Sequence, residues 1–263
     1  MMKLKIGIIG GGNMGGAIIA GICKQYNVSV CEQDCKRVQS LKKKFKVAAG
    51  DLKTVAQRSE VIILAVKPQG FDALLKELQP HLTQEQLVVS IAAGITCRYI
   101  EKRLGAGTRV VRTMPNLPAQ VGEGITAICS GKDATGKDLV LAQLIFSCVG
   151  VTVVVDEKYI NAITAASGSG PAYVFLFIEA LTKAVRSLGF DEVMAKALVR
   201  QTIKGSLDLL DGQNEDAAVL RARVTSKGGT TQAAMDVFKE NNFEKIFKTA
   251  LDAAKKRAKE LSK

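Results

Sequence analysis

Leu4-Lys5-Ile6-Gly7-Ile8-Ile9-Gly10-Gly11-Gly12-Asn13-Met14-Gly15-Gly16-Ala17-Ile18-Ile19-Ala20-Gly21-Ile22 decides the fold of this chain. Leu4 to Ile9 has the apolar, β-branched character of a short buried strand, and Met14 to Cys23 the pattern of the helix that follows. Between them Gly10, Gly12 and Gly15 give the spacing G-x-G-x-x-G. In the order strand, glycines, helix, this motif marks a dinucleotide-binding turn. Gly10 permits the tight turn, Gly12 lets a pyrophosphate approach the backbone, and Gly15 lets helix and strand pack closely. The helix start, from Asn13 and Met14, then offers free N–H groups and a positive dipole end to phosphate.

The rest of the first 155 residues repeats the alternation. Strands are expected at Val28–Cys31, Val61–Val66, Leu87–Ile91, Arg109–Arg112 and Val151–Val155. Helices are expected between them at Cys35–Phe45, Gly70–Leu78, Ile95–Leu104 and Lys137–Cys148. The unbroken run Val61-Ile-Ile-Leu-Ala-Val66 is that of a parallel strand covered on both faces. The reading is α/β: a Rossmann-type doubly wound sheet with crossover helices. After Asp156 strand patterns stop. Helical patterns fill Glu157–Ser167, Pro171–Leu188, Asp191–Leu210, Asn214–Val224, Gln232–Glu240 and Phe243–Leu261. This places a domain boundary at 156, with a nucleotide-binding domain over 1–156 and an all-helical one over 157–263. The uncharged run Tyr159 to Ile178 is too apolar for a solvated face and points to burial against a second subunit.

Composition narrows the function classes. The length of 263 residues fits one large or two modest domains, and 47% hydrophobic residues can fill a core. Six cysteines without any C-x-x-C pair read as free thiols of a reducing compartment, with no metal site expected. The single histidine, His81, excludes histidine triads and relays. The net charge of +12 is spread over the sequence, and there is no tryptophan. A solvated basic surface that gathers anionic ligands is therefore expected, with no nucleic-acid partner. Seven glycines among residues 6–22 do not suit a signal segment. The apolar stretches 139–155 and 159–178 are broken by Gly150 and by Ser167-Gly168-Ser169-Gly170-Pro171, so no membrane span is expected.

Strand ends line the ligand crevice in open α/β sheets. Four such ends are candidates here. Glu32, twenty residues beyond Gly12, can accept hydrogen bonds from ribose hydroxyls and repels a 2′-phosphate, whereas Lys36 and Arg37 could hold one. Val66, Lys67 and Pro68 close the third strand. Ala92, Ala93 and Gly94 close the fourth with small residues that admit a flat ring, and Asn116 lies in the Met114-Pro115-Asn116 turn after the fifth. In the helical part, Ser226-Lys227-Gly228-Gly229-Thr230-Thr231 precedes a helix expected from Gln232. Bare N–H groups at Gly229, Thr230 and Thr231 can bind a carboxylate there, or the threonines can simply cap the helix.

The blocks Gly10–Gly15, Ala65–Gln69, Ser90–Thr96, Met114–Asn116, Val121–Gly124, Ser167–Tyr173 and Ser226–Thr231, in this order over essentially the whole chain, resemble pyrroline-5-carboxylate reductase. The resemblance implies a Rossmann domain and a helical dimerisation domain, often in a decamer of five dimers. It implies cytoplasmic proline biosynthesis, with NAD(P)H reducing 1-pyrroline-5-carboxylate. It also implies that the loop Ser226, Gly228, Gly229, Thr230 holds the substrate carboxylate, with the Thr231 hydroxyl beside the ring nitrogen. Three departures stand out: Lys227 where the family usually has proline, Leu117 where threonine is common, and Glu32-Gln33 where many members accept NADP, which here favours NADH. The alternatives are a reductase of another cyclic imino acid or a non-catalytic NAD(P)-binding regulator.

Overall fold

A computed structural model describes residues 3–213 and 215–262. Its first part alternates as the sequence does: β1 Lys5–Ile9, α1 Asn13–Ile22, β2 Asn27–Cys31, α2 Cys35–Phe45, β3 Ala48–Ala49, α3 Leu52–Gln57, β4 Val61–Leu64, α4 Phe71–Leu78, β5 Leu87–Ser90, α5 Cys97–Leu104, β6 Arg109–Met114, β7 Gly124–Ser130, α6 Gly136–Phe146 and β8 Gly150–Val154. The strands form one sheet in the order β3-β2-β1-β4-β5-β6-β7-β8. From β1 the chain winds outward through β2 and β3, then crosses back to place β4 on the other side of β1. That reversal is the topological switch point where such sheets bind ligands.

Burial on both faces explains the continuous apolar runs. Along β4, Val61 and Ile63 join one core with Ile18, Ile19 and Ile22 of α1 and Ile145 and Phe146 of α6. Ile62 and Leu64 join the other, with Phe71, Leu75 and Leu78 of α4 and Ile100 of α5. Successive side chains point to opposite faces, so a strand clothed by helices on both sides has no polar face to show. Helix starts are fixed locally: Asp34, Asp51 and Thr96 accept backbone N–H bonds at α2, α3 and α5, and Thr135 with Asp138 forms a capping box at α6.

Three elements of this part are absent from the sequence reading. β3 is only two residues long, and α3 is a single short helix. β7 is the larger correction: it runs antiparallel to β6, Arg112 facing Cys129, and then pairs in parallel with β8. The connection from β6 to β7 is one short 3₁₀ turn at Leu117–Val121. A crossover helix does not fit in that length, so the strand must return antiparallel.

Beyond β8 come α7 Ile160–Ile163, a π-helical stretch at Thr164–Gly168, α8 Gly170–Ser187, α9 Glu192–Gln213, α10 Ala217–Arg223, α11 Thr230–Glu240 and α12 Phe243–Glu260. Glu157–Ser167 is thus a succession of 3₁₀, α and π turns rather than one helix. The helix expected from Asn214 begins at Ala217; Asn214 itself lies outside the described residues. The chain divides into two units, residues 1–171 with 254–263, and residues 172–253. The second unit is all helical and carries large exposed apolar side chains, among them Val174, Phe175, Leu176 and Phe177 on α8. No helix among the described residues is long and apolar enough to cross a membrane.

Candidate active site

At the carboxyl end of β1, Gly10 donates its N–H to the Cys31 carbonyl (2.8 Å), and Ala65 donates to the Ile9 carbonyl (2.8 Å). The turn is therefore stitched to both neighbouring strands. Gly10 sits at φ +104°, and a Cβ there would come within 2.7 Å of the Ala65 carbonyl oxygen. A Cβ on Gly15 would fall onto the Gly10 carbonyl oxygen. These two glycines are required by the protein itself. Gly12 is different: at φ −64° it has ordinary backbone geometry, and a Cβ there meets nothing within 4 Å among the described residues. Neither fold nor packing needs a glycine at that point.

Gly12 is the N-cap of α1, which has no side-chain cap and no acidic residue in its first turn. The N–H groups of Asn13, Met14 and Gly15 precede the helix's own hydrogen-bond ladder. Uncapped donors, a dipole end and open space over Gly12 fit the pyrophosphate of a dinucleotide.

Glu32 follows β2 and reaches back to this turn. Its Oε2 accepts the Gly11 N–H (2.7 Å) and lies 3.3 Å from Arg37 Nη1, while Oε1 accepts the Asp34 N–H (2.9 Å). Burial acts to raise its pKa, but the N–H groups of Asp34 and Gly11 and the Arg37 guanidinium outweigh it and hold the carboxyl below its ordinary value. Glu32 is thus also a brace between the glycine turn and α2. Arg37 is engaged by it, whereas Lys36 is exposed in the first turn of α2.

The other strand ends lie on the same edge of the sheet, since β2, β1, β4, β5 and β6 are consecutive parallel neighbours. Val66 and Pro68 are half-buried and Lys67 is exposed, and Pro68 opens the 3₁₀ turn Pro68–Gly70. Ala92 to Gly94 differ from an open platform. Ala92 belongs to the core, and Gly94, at φ +75°, faces the Leu261 carbonyl so closely that a Cβ would come within 2.6 Å of it. Only Ala93 is exposed. Asn116 is buried and works internally: Oδ1 accepts the Ile125 N–H (2.9 Å) and Nδ2 donates to the Ser167 carbonyl (3.2 Å).

In the helical unit, α11 starts at Thr230, two residues earlier than the sequence indicates, with Gly229 as N-cap and no side-chain cap. The Gly229 N–H is consumed in a turn, donating to the Ser226 carbonyl (3.0 Å). Gly228 makes that turn possible at φ +73°. The uncommitted donors are therefore those of Thr230, Thr231 and Gln232 rather than Gly229. Ser226 and Thr230 are exposed and Thr231 half-buried, and the threonines do not cap the helix.

One polar cluster escaped the sequence reading. Arg112, in the apolar strand β6, is buried and donates from Nη1 to Glu157 Oε1 (2.9 Å). The Cys97 and Cys129 sulfurs lie within 4.8 Å of a Glu157 carboxylate oxygen. The hydrogen bond with Cys129, together with burial, pushes the Cys97 thiol far above its ordinary value. An arginine in the middle of Arg109-Val-Val-Arg-Thr-Met114 was the available signal, because a charge on a covered strand requires a partner.

A mostly parallel sheet with a glycine turn at its switch point and an uncapped helix start defines a dinucleotide-binding protein of the Rossmann class. Residues 157–261 match the family "pyrroline-5-carboxylate reductase dimerisation", and residues 5–94 match "NADP oxidoreductase coenzyme F420-dependent". The chain is 38% identical to a pyrroline-5-carboxylate reductase of Methanosarcina acetivorans over the full length of both. It is 37% identical to one of Pseudomonas aeruginosa, with 100% of this chain and 98% of that one covered. Among solved structures, a pyrroline-5-carboxylate reductase from Coxiella burnetii superposes with a TM-score of 0.92 at 38% identity, covering 98% of both chains. The Plasmodium falciparum pyrroline carboxylate reductase with NADP bound superposes at 0.89 and 30% identity, covering 100% of both. The chain belongs to the pyrroline-5-carboxylate reductase family and is an oxidoreductase.

Proposed function

We infer that the chain reduces 1-pyrroline-5-carboxylate to proline with NADH or NADPH, as the last step of proline biosynthesis in the cytoplasm. The observation that carries this reading is the uncrowded Gly12 at the uncapped start of α1, in a chain related over its full length to these reductases. Gly10, Gly12, Asn13, Met14 and Gly15 hold the pyrophosphate. Val66, Lys67, Pro68, Ala93 and the backbone of Ala92 and Gly94 border the rest of the dinucleotide, and Asn116 braces the edge they form. Residues 1–156 serve as the cofactor domain and residues 157–263 as the dimerisation and substrate domain.

The bound reduced nicotinamide supplies the hydride. The N–H groups of Thr230, Thr231 and Gln232, on the loop shaped by Ser226, Gly228 and Gly229, take the substrate carboxylate. The Thr231 hydroxyl accepts from the protonated imine nitrogen and later donates to the amine lone pair, so it follows the nitrogen through the reaction. Holding the two rings face to face supplies most of the rate. With one histidine in the chain, at the turn Gln79–His81, the proton arrives on the substrate rather than through an imidazole.

Glu32 favours NADH: its carboxylate stays ionised at the edge of the turn and draws on Arg37, which leaves Lys36 to face a 2′-phosphate. The exposed apolar side chains of α8 support a homodimer, and five dimers would make a decamer. The deciding assay mixes the purified chain with 1-pyrroline-5-carboxylate and each reduced nicotinamide in turn, and measures proline. No proline with either cofactor overturns the reading.

A further inference from the structure

We propose that Cys97, Cys129 and Glu157 form a binding site for a zinc-class divalent cation, with Arg112 as its outer partner. Cys97 opens α5, Cys129 lies on β7, and Glu157 follows β8. The topology brings three residues together that are scattered in sequence. Their two sulfurs and a carboxylate oxygen all lie within 4.8 Å of one another. Two thiolates on a tetrahedral zinc stand about 3.8 Å apart, from Zn–S bonds of about 2.3 Å, so a small contraction closes the site. Cys97 and Cys129 are buried, and the Glu157 side chain is 32% exposed, which leaves a solvent side for a fourth, water ligand.

Arg112 separates this reading from a simple disulfide. Its side chain is only 3% exposed, and it faces Cys129 across the β6–β7 pair. Nη1 donates to Glu157 Oε1, which also accepts the Cys97 N–H (2.8 Å) and so leaves Oε2 for an ion. Its Nε and Nη2 are buried with no hydrogen-bond partner among the described residues. Such orphaned donors are rare and call for an acceptor. Thiolates are acceptors of the right kind; a disulfide is a poor one. Charge also balances. Without the ion, Glu157 and Arg112 cancel. With it, two thiolates and one carboxylate face a divalent cation and one guanidinium, again neutral, as the two thiol protons pass to solvent. Soft sulfur ligands select zinc over magnesium or calcium.

None of the three ligand residues belongs to the glycine turn, and the proposal does not depend on the proposed reaction. The test uses the whole chain, stripped with a chelator under reducing conditions and titrated with Co²⁺, then with competing Zn²⁺. The expected result is a thiolate-to-cobalt charge-transfer band with tetrahedral d–d bands, saturating at one ion per chain and bleached by zinc. Cys97→Ala/Cys129→Ala should lose the band, while Cys35→Ser and Cys148→Ser keep it. Should the double variant fail to fold, zinc-edge X-ray absorption of the wild-type chain decides the matter, with two sulfur ligands expected. No thiolate band in the wild type, a band that survives the double substitution, or a zinc shell without two sulfurs overturns the proposal. So does oxidation of the pair to a disulfide in a chain that binds no cobalt.

Discussion

Replacing Gly12 with valine separates cofactor recognition from folding. Among the described residues, no protein atom lies within 4 Å of a Cβ at this position, and φ −64° is open to any residue. The cost to the fold is that of a poorer N-cap, at most about 1 kcal/mol, or roughly 2–4 °C in melting temperature for a chain of this size. The cost to the cofactor is larger. An isopropyl group fills the space over the N–H groups of Asn13 and Met14. Hydrogen bonds to a charged phosphate are worth about 1.5–3 kcal/mol each. Losing the equivalent of one or two gives about 3 kcal/mol, a Kd raised on the order of a hundredfold. Gly15→Ala is the contrasting control: its Cβ collides with the Gly10 carbonyl oxygen, so it should lower the melting temperature by more than Gly12→Val does. Fluorescence titration with NADH and NADPH, beside thermal melts, reads both quantities. A folded Gly12→Val protein that binds both cofactors as tightly as the wild type would refute the assignment of the turn.

Thr231→Ala should lower kcat/KM by roughly ten- to a hundredfold, the one to three kcal/mol of a polar group that loses its partner at a reacting centre. Its melting temperature should stay near wild type, because Thr231 caps nothing; a large fall in stability with full activity would reverse the assignment. Glu32→Ser should shift the ratio of kcat/KM values toward NADPH, and a wild-type enzyme that already strongly prefers NADPH would contradict the role given to this carboxylate. The depressed pKa of Glu32 in the folded chain makes its contribution to stability full above the ordinary carboxylate range and lost as pH falls through the folded value. The melting-temperature gap between wild type and Glu32→Gln should therefore narrow in acid, and a gap that widens there is the opposite sign. Leu176→Glu, at a position 65% exposed on α8, should convert the oligomer to monomer in light scattering at micromolar concentration; an unchanged mass would place the interface elsewhere.

The sequence alone determined the strands of the sheet other than β3 and β7, because their signals are local. The glycine spacing after β1, the two-sided apolar runs of β4 and β5, and the abrupt end of strand patterns after residue 155 each follow from backbone sterics and burial within a few residues. Helix α2 was legible to the residue, from Cys35 to Phe45, since Asp34 marks its start and three lysines its last turn. Tertiary structure alone decided the rest. The direction of β7 depends on the length of the β6–β7 connection and on which strands flank it, and its own residues carry no parallel or antiparallel mark. That Gly12 is free while Gly10 and Gly15 are clamped follows from the Ala65 and Gly10 carbonyls, the first of them fifty-five residues beyond Gly10. The inward use of Asn116 and the seating of Gly94 against Leu261 are contacts between segments far apart in the chain. Cys97, Cys129 and Glu157 have no sequence spacing to announce them, because a helix start, an antiparallel strand and a turn beyond the sheet must all be in place before their side chains can meet.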